Sequence, residues 1–336
     1  MVRRILSLLL IISGLAIGLM ASAFYLLNSP PDPLVGVEQQ IEQPSATIKP
    51  QRLTATFIGT STLLFSDGES SIMIDGFFTR PPINTLLWGS IEPDIPQIKS
   101  SLKRLNVTTL NGIMVVHSHH DHVMDAPEVA KLTQATLFGS ESTANIARSA
   151  GLPEPQIEIV DDQRSLILGQ FNVTMIKSKH TPVPSVLAWL TGHGQDISSP
   201  FPLKPKLTDF NEGGSYVVHI AHPLGNILVQ ASGGYVKGRL QGFQADVVYL
   251  GVAGLSKQSE QFKQDYFHET VATVGAKTVI PIHWDNFMRP IGQALVPPHS
   301  AIDNTPQSIT ELSDYIEHEA KGSLIVMQAW DTITLY

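Results

Sequence analysis

Apolar and polar residues alternate through Leu53-Thr54-Ala55-Thr56-Phe57-Ile58, and a second apolar stretch follows at Ser61-Thr62-Leu63-Leu64-Phe65. Ser66-Asp67-Gly68 then turns the chain into Ser71-Ile72-Met73-Ile74-Asp75, so the pattern predicts antiparallel strands. Ile98, Leu102 and Leu105 recur at helical spacing and predict an amphipathic helix, followed by a buried strand at Ile113-Met114-Val115-Val116. Thr143–Ala150 reads as helix, and Ser165–Leu168 and Phe171–Ile176 as strands. The second half repeats the style. Tyr216–Ile220, Asn226–Val229, Asp246–Val252 and Thr278–Ile282 are predicted strands, with a helix over Gln261–Gly275. A helix at Pro306–Ala320 and a strand at Ser323–Gln328 follow. Strands dominate the front of each half with helices interleaved, which fits two sheets covered by helices better than one parallel sheet. Gly192–Gly213, rich in proline and glycine, predicts a long loop of the kind that borders active sites.

The first 50 residues differ from this body. Ile5 to Leu27 carry no charge and follow Arg3 and Arg4. Such a run is long enough to cross a bilayer, and the preceding basic residues favour a cytoplasmic N-terminus with an exported body. Ala21-Ser22-Ala23 also matches a signal-peptidase pattern, so an inner-membrane anchor and a cleaved signal are both open. Both predict a periplasmic or otherwise extracytoplasmic location. Pro30, Pro31, Pro33, Pro44 and Pro50 mark a tether. The expected organisation is residues 1–28 as anchor or signal, 29–50 as linker and 51–336 as one domain.

Charge narrows the partners. Arg3, Arg4 and Lys49 balance Asp32, Glu38 and Glu42, so the net charge of −8 belongs to the body. An acidic body without a basic stripe argues against nucleic-acid binding, which depends on neutralising phosphates. A small-molecule or lipid-like substrate is expected instead, with membrane contact through the N-terminal segment. The anchor and an apolar loop at Val183–Leu190, including Trp189, favour the lipid-like option, unless that loop packs against the fold. Lys177, Lys179 and Lys237 are candidates to hold a phosphate. Cysteine is absent, which removes thiolate from the metal ligands and from the nucleophiles.

The densest chemistry lies directly after the strand at Ile113–Val116. His117-Ser118-His119-His120-Asp121-His122 holds four of the twelve histidines and a carboxylate. Imidazole nitrogen and carboxylate oxygen are ligands for zinc and its first-row neighbours. On an extended segment His117, His119 and Asp121 would converge while His122 points elsewhere, a division that suits two adjacent metal sites. His180 follows Phe171–Ile176, and His283 follows Val279-Ile280-Pro281-Ile282, so both also leave apolar strands. His120 is out of phase and is a candidate for facing substrate. His193, His219, His222, His268, His299 and His318 read as surface or packing residues.

HSHHDH, His180, His283 and the opening TFIGTSTLLFSDGESSIMIDG together resemble the metallo-β-lactamase superfamily. VIPIHWDNF and ADVVYLGVAG resemble the branch holding L-ascorbate-6-phosphate lactonase-like proteins and N-acyl-phosphatidylethanolamine phospholipase D enzymes. The resemblance implies an α/β fold of the α+β type, a four-layer αββα sandwich of two mixed sheets. It also implies a first metal site of His117, His119 and His180, and a second of Asp121, His122 and His283. Asp75 matches an aspartate that supports the metal-binding loop. Zinc is the expected ion, in one or two copies, with manganese and iron as alternatives.

One position departs from the family pattern. Where an aspartate usually bridges both metals, this chain has Ser232, within Ile227-Leu228-Val229-Gln230-Ala231-Ser232-Gly233-Gly234. A neutral hydroxyl offsets the repulsion between two dications poorly. The site could hold one metal, hold two joined by hydroxide alone, or bind metal without turnover. The expected activity is hydrolysis of an ester, lactone or phosphodiester by a metal-activated hydroxide. If only the His117-His119-His180 site is filled, Asp121 becomes the candidate base that orients water. The alternative is an exported metal-binding or sensing module without turnover. An iron oxidoreductase is a further reading. Ser100-Ser101-Leu102-Lys103 has the S-x-x-K form but lacks the companion motifs of serine β-lactamases.

Overall fold

The computed structural model describes residues 52–336 and, before them, only Ser7, residues 10–15 and 17–19, Ala21, Ser22 and Tyr25, all helical. Among the described residues no helix is long and apolar enough to cross a membrane. The expected anchor at residues 5–27 and the linker at 29–50 lie largely or wholly outside the described residues.

Two mixed sheets form the body. The first contains β1 (Thr54–Gly59), β2 (Thr62–Ser66), β3 (Ser71–Ile74), β4 (Gly112–Met114), β5 (Leu137–Gly139) and β6 (Ile157–Ile159). The second contains β7 (Ser165–Leu168), β8 (Phe171–Ser178), β9 (Ser215–His222), β10 (Gly225–Gln230), β11 (Val247–Gly251), β12 (Thr278–Ile282) and β13 (Ser323–Leu324). A last strand, β14 (Thr332–Thr334), returns to the first sheet and pairs antiparallel with β1. The spatial orders are β14-β1-β2-β3-β4-β5-β6 and β13-β12-β11-β10-β9-β8-β7. Each sheet passes from antiparallel hairpins to parallel strands, at β3–β4 in one and β10–β11 in the other.

Side-chain alternation explains the layers. Along residues 113–116, Met114 and Val116 enter the core between the sheets, while Ile113 and Val115 face the outer helices. Phe57, Phe65, Ile72 and Ile74 meet Val173, Met175, Val218 and Ile220 in the same inner core. A strand buried on both faces reads as a continuous apolar run, as this one does. Each fully buried Leu, Ile or Phe contributes about 1.5–3 kcal/mol of transfer free energy. The helices Ile95–Arg104, Ala126–Thr133 and Glu141–Ser149 bury Ile98, Leu102, Val129 and Ile146 against the first sheet. Glu260–Phe267 and Thr305–Tyr315 bury Tyr266, Phe267, Ile309 and Leu312 against the second. The expected αββα order is therefore the observed one.

Several local expectations are revised. The closing strand pairs only over Ser323–Leu324, and the helix from Glu260 becomes a wider π turn over His268–Ala272. Val183–Leu190, expected as a loop, contains the helix Ser185–Leu190, with Trp189 75% exposed. The three-residue β14 (Thr332–Thr334) is too short to show a periodicity in the sequence.

Candidate metal centre

The histidines meet where strands end. His117 follows the apolar run from β4, His180 lies two residues beyond β8, and His283 is the first residue after β12. At His119 the extended segment stops and His120–Val123 makes one helical turn. That turn corrects the extended-strand expectation, because Asp121 swings away from His117 and His119 to join His122.

Two groups of donor atoms result, each within 4.8 Å of one another: His117, His119 and His180, and Asp121, His122 and His283. In the first group the three rings lie mutually edge-on, with centroids 4.8–4.9 Å apart. In the second, His283 Nε2 is 3.2 Å and His122 Nε2 is 3.6 Å from Asp121 Oδ2.

Neighbouring acceptors decide which ring nitrogen carries a lone pair. His119 Nε2 donates to the Thr191 carbonyl at 3.0 Å, and His180 Nδ1 donates to the Thr181 carbonyl at 3.0 Å. His122 Nδ1 donates to Asp75 Oδ2 at 2.8 Å. In each ring the opposite nitrogen is left as the acceptor atom that a cation requires. Asp75 is itself fixed by the Ser61 hydroxyl (2.5 Å) and the Val116 N–H (2.9 Å).

These donors fit a divalent cation. Both ring nitrogens of His117 and Nε2 of His122 are buried without a hydrogen-bond partner. Unpaired buried nitrogens are costly unless a ligand satisfies them. Burial, aided by adjacent imidazoles, holds His117 well below its ordinary pKa and pushes His119 down to about 4 and His180 to about 3. The rings are therefore neutral donors at neutral pH. Burial opposes ionisation of Asp121, yet His122 and His283 beside it hold the carboxyl well below the usual range. Burial also opposes a charged His122, but Asp121 and Asp75 outweigh it and raise the ring's pKa.

A cavity of about 360 Å³ opens over both groups. His120 lines it, surrounded by Phe77, Phe210 and Phe287 at centroid distances of 5.7–6.3 Å. Ser232 lines it too, 7% exposed, with its Oγ accepting the Thr181 N–H at 3.0 Å. Lys177, Lys179 and Lys237, considered from sequence as phosphate holders, are not in its lining. The S-x-x-K segment lies on the helix Ile95–Arg104, outside this lining.

The family model described as the metallo-beta-lactamase superfamily matches residues 55–235, more than half of the chain. The chain belongs to this superfamily. A "UPF0173 metal-dependent hydrolase" from Heliobacterium modesticaldum is 30% identical over 100 residues, 30% of this chain and 35% of that protein. The match thus spans about a third of the curated relative. The diiron β-hydroxylase CmlA from Streptomyces venezuelae superposes with a TM-score of 0.54 at 12% identity, over 86% of this chain and 55% of that one. A possible metal-dependent hydrolase from Veillonella parvula gives 0.51 at 14% identity, over 85% and 99%. At such identities these likenesses establish the shared superfamily fold alone.

Sequence reading missed two supports. His193, placed among packing residues, lies 5.3 Å from the His180 ring, with its Nδ1 3.2 Å from Glu212 Oε2. The only signal was its position inside the Gly192–Gly213 loop. Glu212 also accepts the Ser118 N–H through its carbonyl (2.7 Å), tying that loop to the histidine cluster. The second support is Asp285, whose Oδ1 accepts the Thr60 N–H at 2.7 Å while the Thr60 carbonyl accepts the His283 N–H at 2.5 Å. Thr60 and His283 both have left-handed φ, 54° and 55°. Strained backbone of this kind costs of order 1–3 kcal/mol per residue and persists where the surroundings enforce it.

Proposed function

We propose that this protein is a metal-dependent hydrolase acting on an ester, lactone or phosphodiester bond. The observation that carries the proposal is the pair of adjacent donor triads, His117-His119-His180 and Asp121-His122-His283, on the floor of one cavity. The hydrolase description of the Heliobacterium relative supports it.

All-imidazole and imidazole–carboxylate donor sets suit zinc, with manganese and iron as alternatives. A cation held there supplies Lewis acidity and makes water acidic enough to serve as a nucleophile near neutral pH. Asp121 stays ionised, so where only the His117-His119-His180 triad holds a cation its carboxylate can orient a water molecule and accept its proton. His120, buried and pushed towards neutrality by desolvation, offers an unpartnered Nε2 to a substrate polar atom in the cavity. We place the domain on the extracytoplasmic side, held through residues 5–27.

The proposal fails if purified protein supplied with stoichiometric zinc or manganese hydrolyses esters and keeps that activity after complete chelation and in His119→Ala.

A second reading is metal binding without turnover, favoured by Ser232. Its hydroxyl is engaged with Thr181 and carries no charge to offset two dications. An inert parent that gains turnover as Ser232→Asp would favour this second reading.

A further inference from the structure

We propose that the cavity over the two triads is a binding site for a long aliphatic chain, so that the hydrolysed bond belongs to an amphiphile. This rests on the hydrolase reading of the same site. The floor of the cavity is polar, but its walls are Ile83, Leu86, Val183, Leu207, Phe210 and Met288. No lysine or arginine lines it, so nothing in the wall pairs with a phosphate or carboxylate on the substrate's body. Its volume of about 360 Å³ lies within the range of small-molecule sites, roughly 300–1,000 Å³.

A neighbouring cavity of about 240 Å³ shares Phe210 and is lined by Ile91, Met124, Ile146, Phe201 and Leu203, with Glu92, Glu128 and Ser149 as its polar members. The helix Ile83–Trp88 turns Ile83 and Leu86 to the main cavity and exposes Trp88 by 75%. The helix Ser185–Leu190 lies between two lining residues, Val183 and Thr191, and exposes Trp189 by the same fraction. The chain's other two tryptophans are fully buried (Trp284) or stacked beneath Arg104 (Trp330). Both exposed indoles thus lie on helices that carry or directly adjoin lining residues of the same cavity. A polar or multiply charged substrate would gain nothing from such walls. An alkyl chain gains about fourfold in affinity for each methylene removed from water, until the space is filled.

The test titrates the full-length protein with two homologous series while following tryptophan emission. Straight-chain alcohols probe the walls alone. Straight-chain hydroxamic acids, with zinc present, probe the walls and the cation together. Both series should tighten at least about tenfold from the two-carbon to the eight-carbon member. Phe210→Arg should flatten that dependence. If it fails to fold, Phe210→Trp, which enlarges a wall side chain and takes up part of the cavity, should penalise the longest members selectively. Hydroxamic acids that bind equally at every length would overturn the proposal. So would a length dependence untouched by either Phe210 variant, which would mean adsorption elsewhere. If alcohols show the length dependence but hydroxamic acids gain nothing over them, the chain site stands and the metal-hydrolase reading falls.

Discussion

Arg80 Nη1 lies 2.8 Å from Asp285 Oδ2, and the two side chains are 2% and 0% exposed. The other carboxylate oxygen of Asp285 holds Thr60, whose carbonyl holds the backbone of His283. Gly59 must lack a side chain, because a Cβ there would collide with the Arg80 guanidinium. A buried ion pair 205 residues apart in sequence thus orients one edge of the metal centre. Asp285→Ala leaves the Arg80 charge buried and unpaired, a loss of about 3–5 kcal/mol. Chemical denaturation should show that loss, and unchanged stability would remove Asp285 from this role.

Asp75 sets the orientation of His122 through a 2.8 Å hydrogen bond. Replacing such a partner of a metal-ligating histidine typically costs 10–100-fold in affinity. Asp75→Asn should therefore weaken zinc binding about 10–100-fold in a chelator competition titration. Equal affinity would show that the hydrogen bond is not needed for binding.

Ser232→Asp places a carboxylate beside the two triads and Thr181. Elemental analysis should find more metal per chain in this variant than in the parent. Equal stoichiometry would mean that the missing carboxylate does not limit occupancy.

Protons compete with metal for the same imidazoles. His119 and His180 are pushed to about 4 and about 3, below the ordinary 6.5, first by burial. With folded values below unfolded ones, the unfolded chain binds more protons as pH falls from about 6.5 to about 4. Chelator-treated protein should lose stability across that window on acidification. His180→Gln should flatten the slope, and an identical slope would contradict the assignment.

Asp125 behaves in the opposite sense. Burial pushes its carboxyl up to about 6, even though it accepts the Phe78 and Thr79 N–H groups. Its contribution is present below about pH 4 and is lost as pH rises through about 6, by about 2–3 kcal/mol. Asp125→Asn should remove that part of the pH dependence in denaturant titrations at pH 5 and pH 7. A wild-type slope in the variant would sink the assignment.

Local pattern carried much of this molecule. A run such as Ile113–Val116 is buried on both faces wherever it lies, and histidine after it has few bland roles, so the strand and the cluster were legible without coordinates. His180 and His283 were legible because each also leaves an apolar strand. Other features required the packed chain. The helical turn at His120 decides that Asp121 joins His122 and His283, and one turn's geometry is not written in ligand spacing. Asp285, Glu212 and His193 serve the centre through contacts between distant segments, and no local periodicity marks them. The exposure of Trp189 likewise depends on what does or does not pack against its helix. Sequence determined which atoms could bind a cation, because donor chemistry belongs to the residue. Tertiary structure decided how those atoms are grouped and what surrounds them, because convergence is a property of the closed fold.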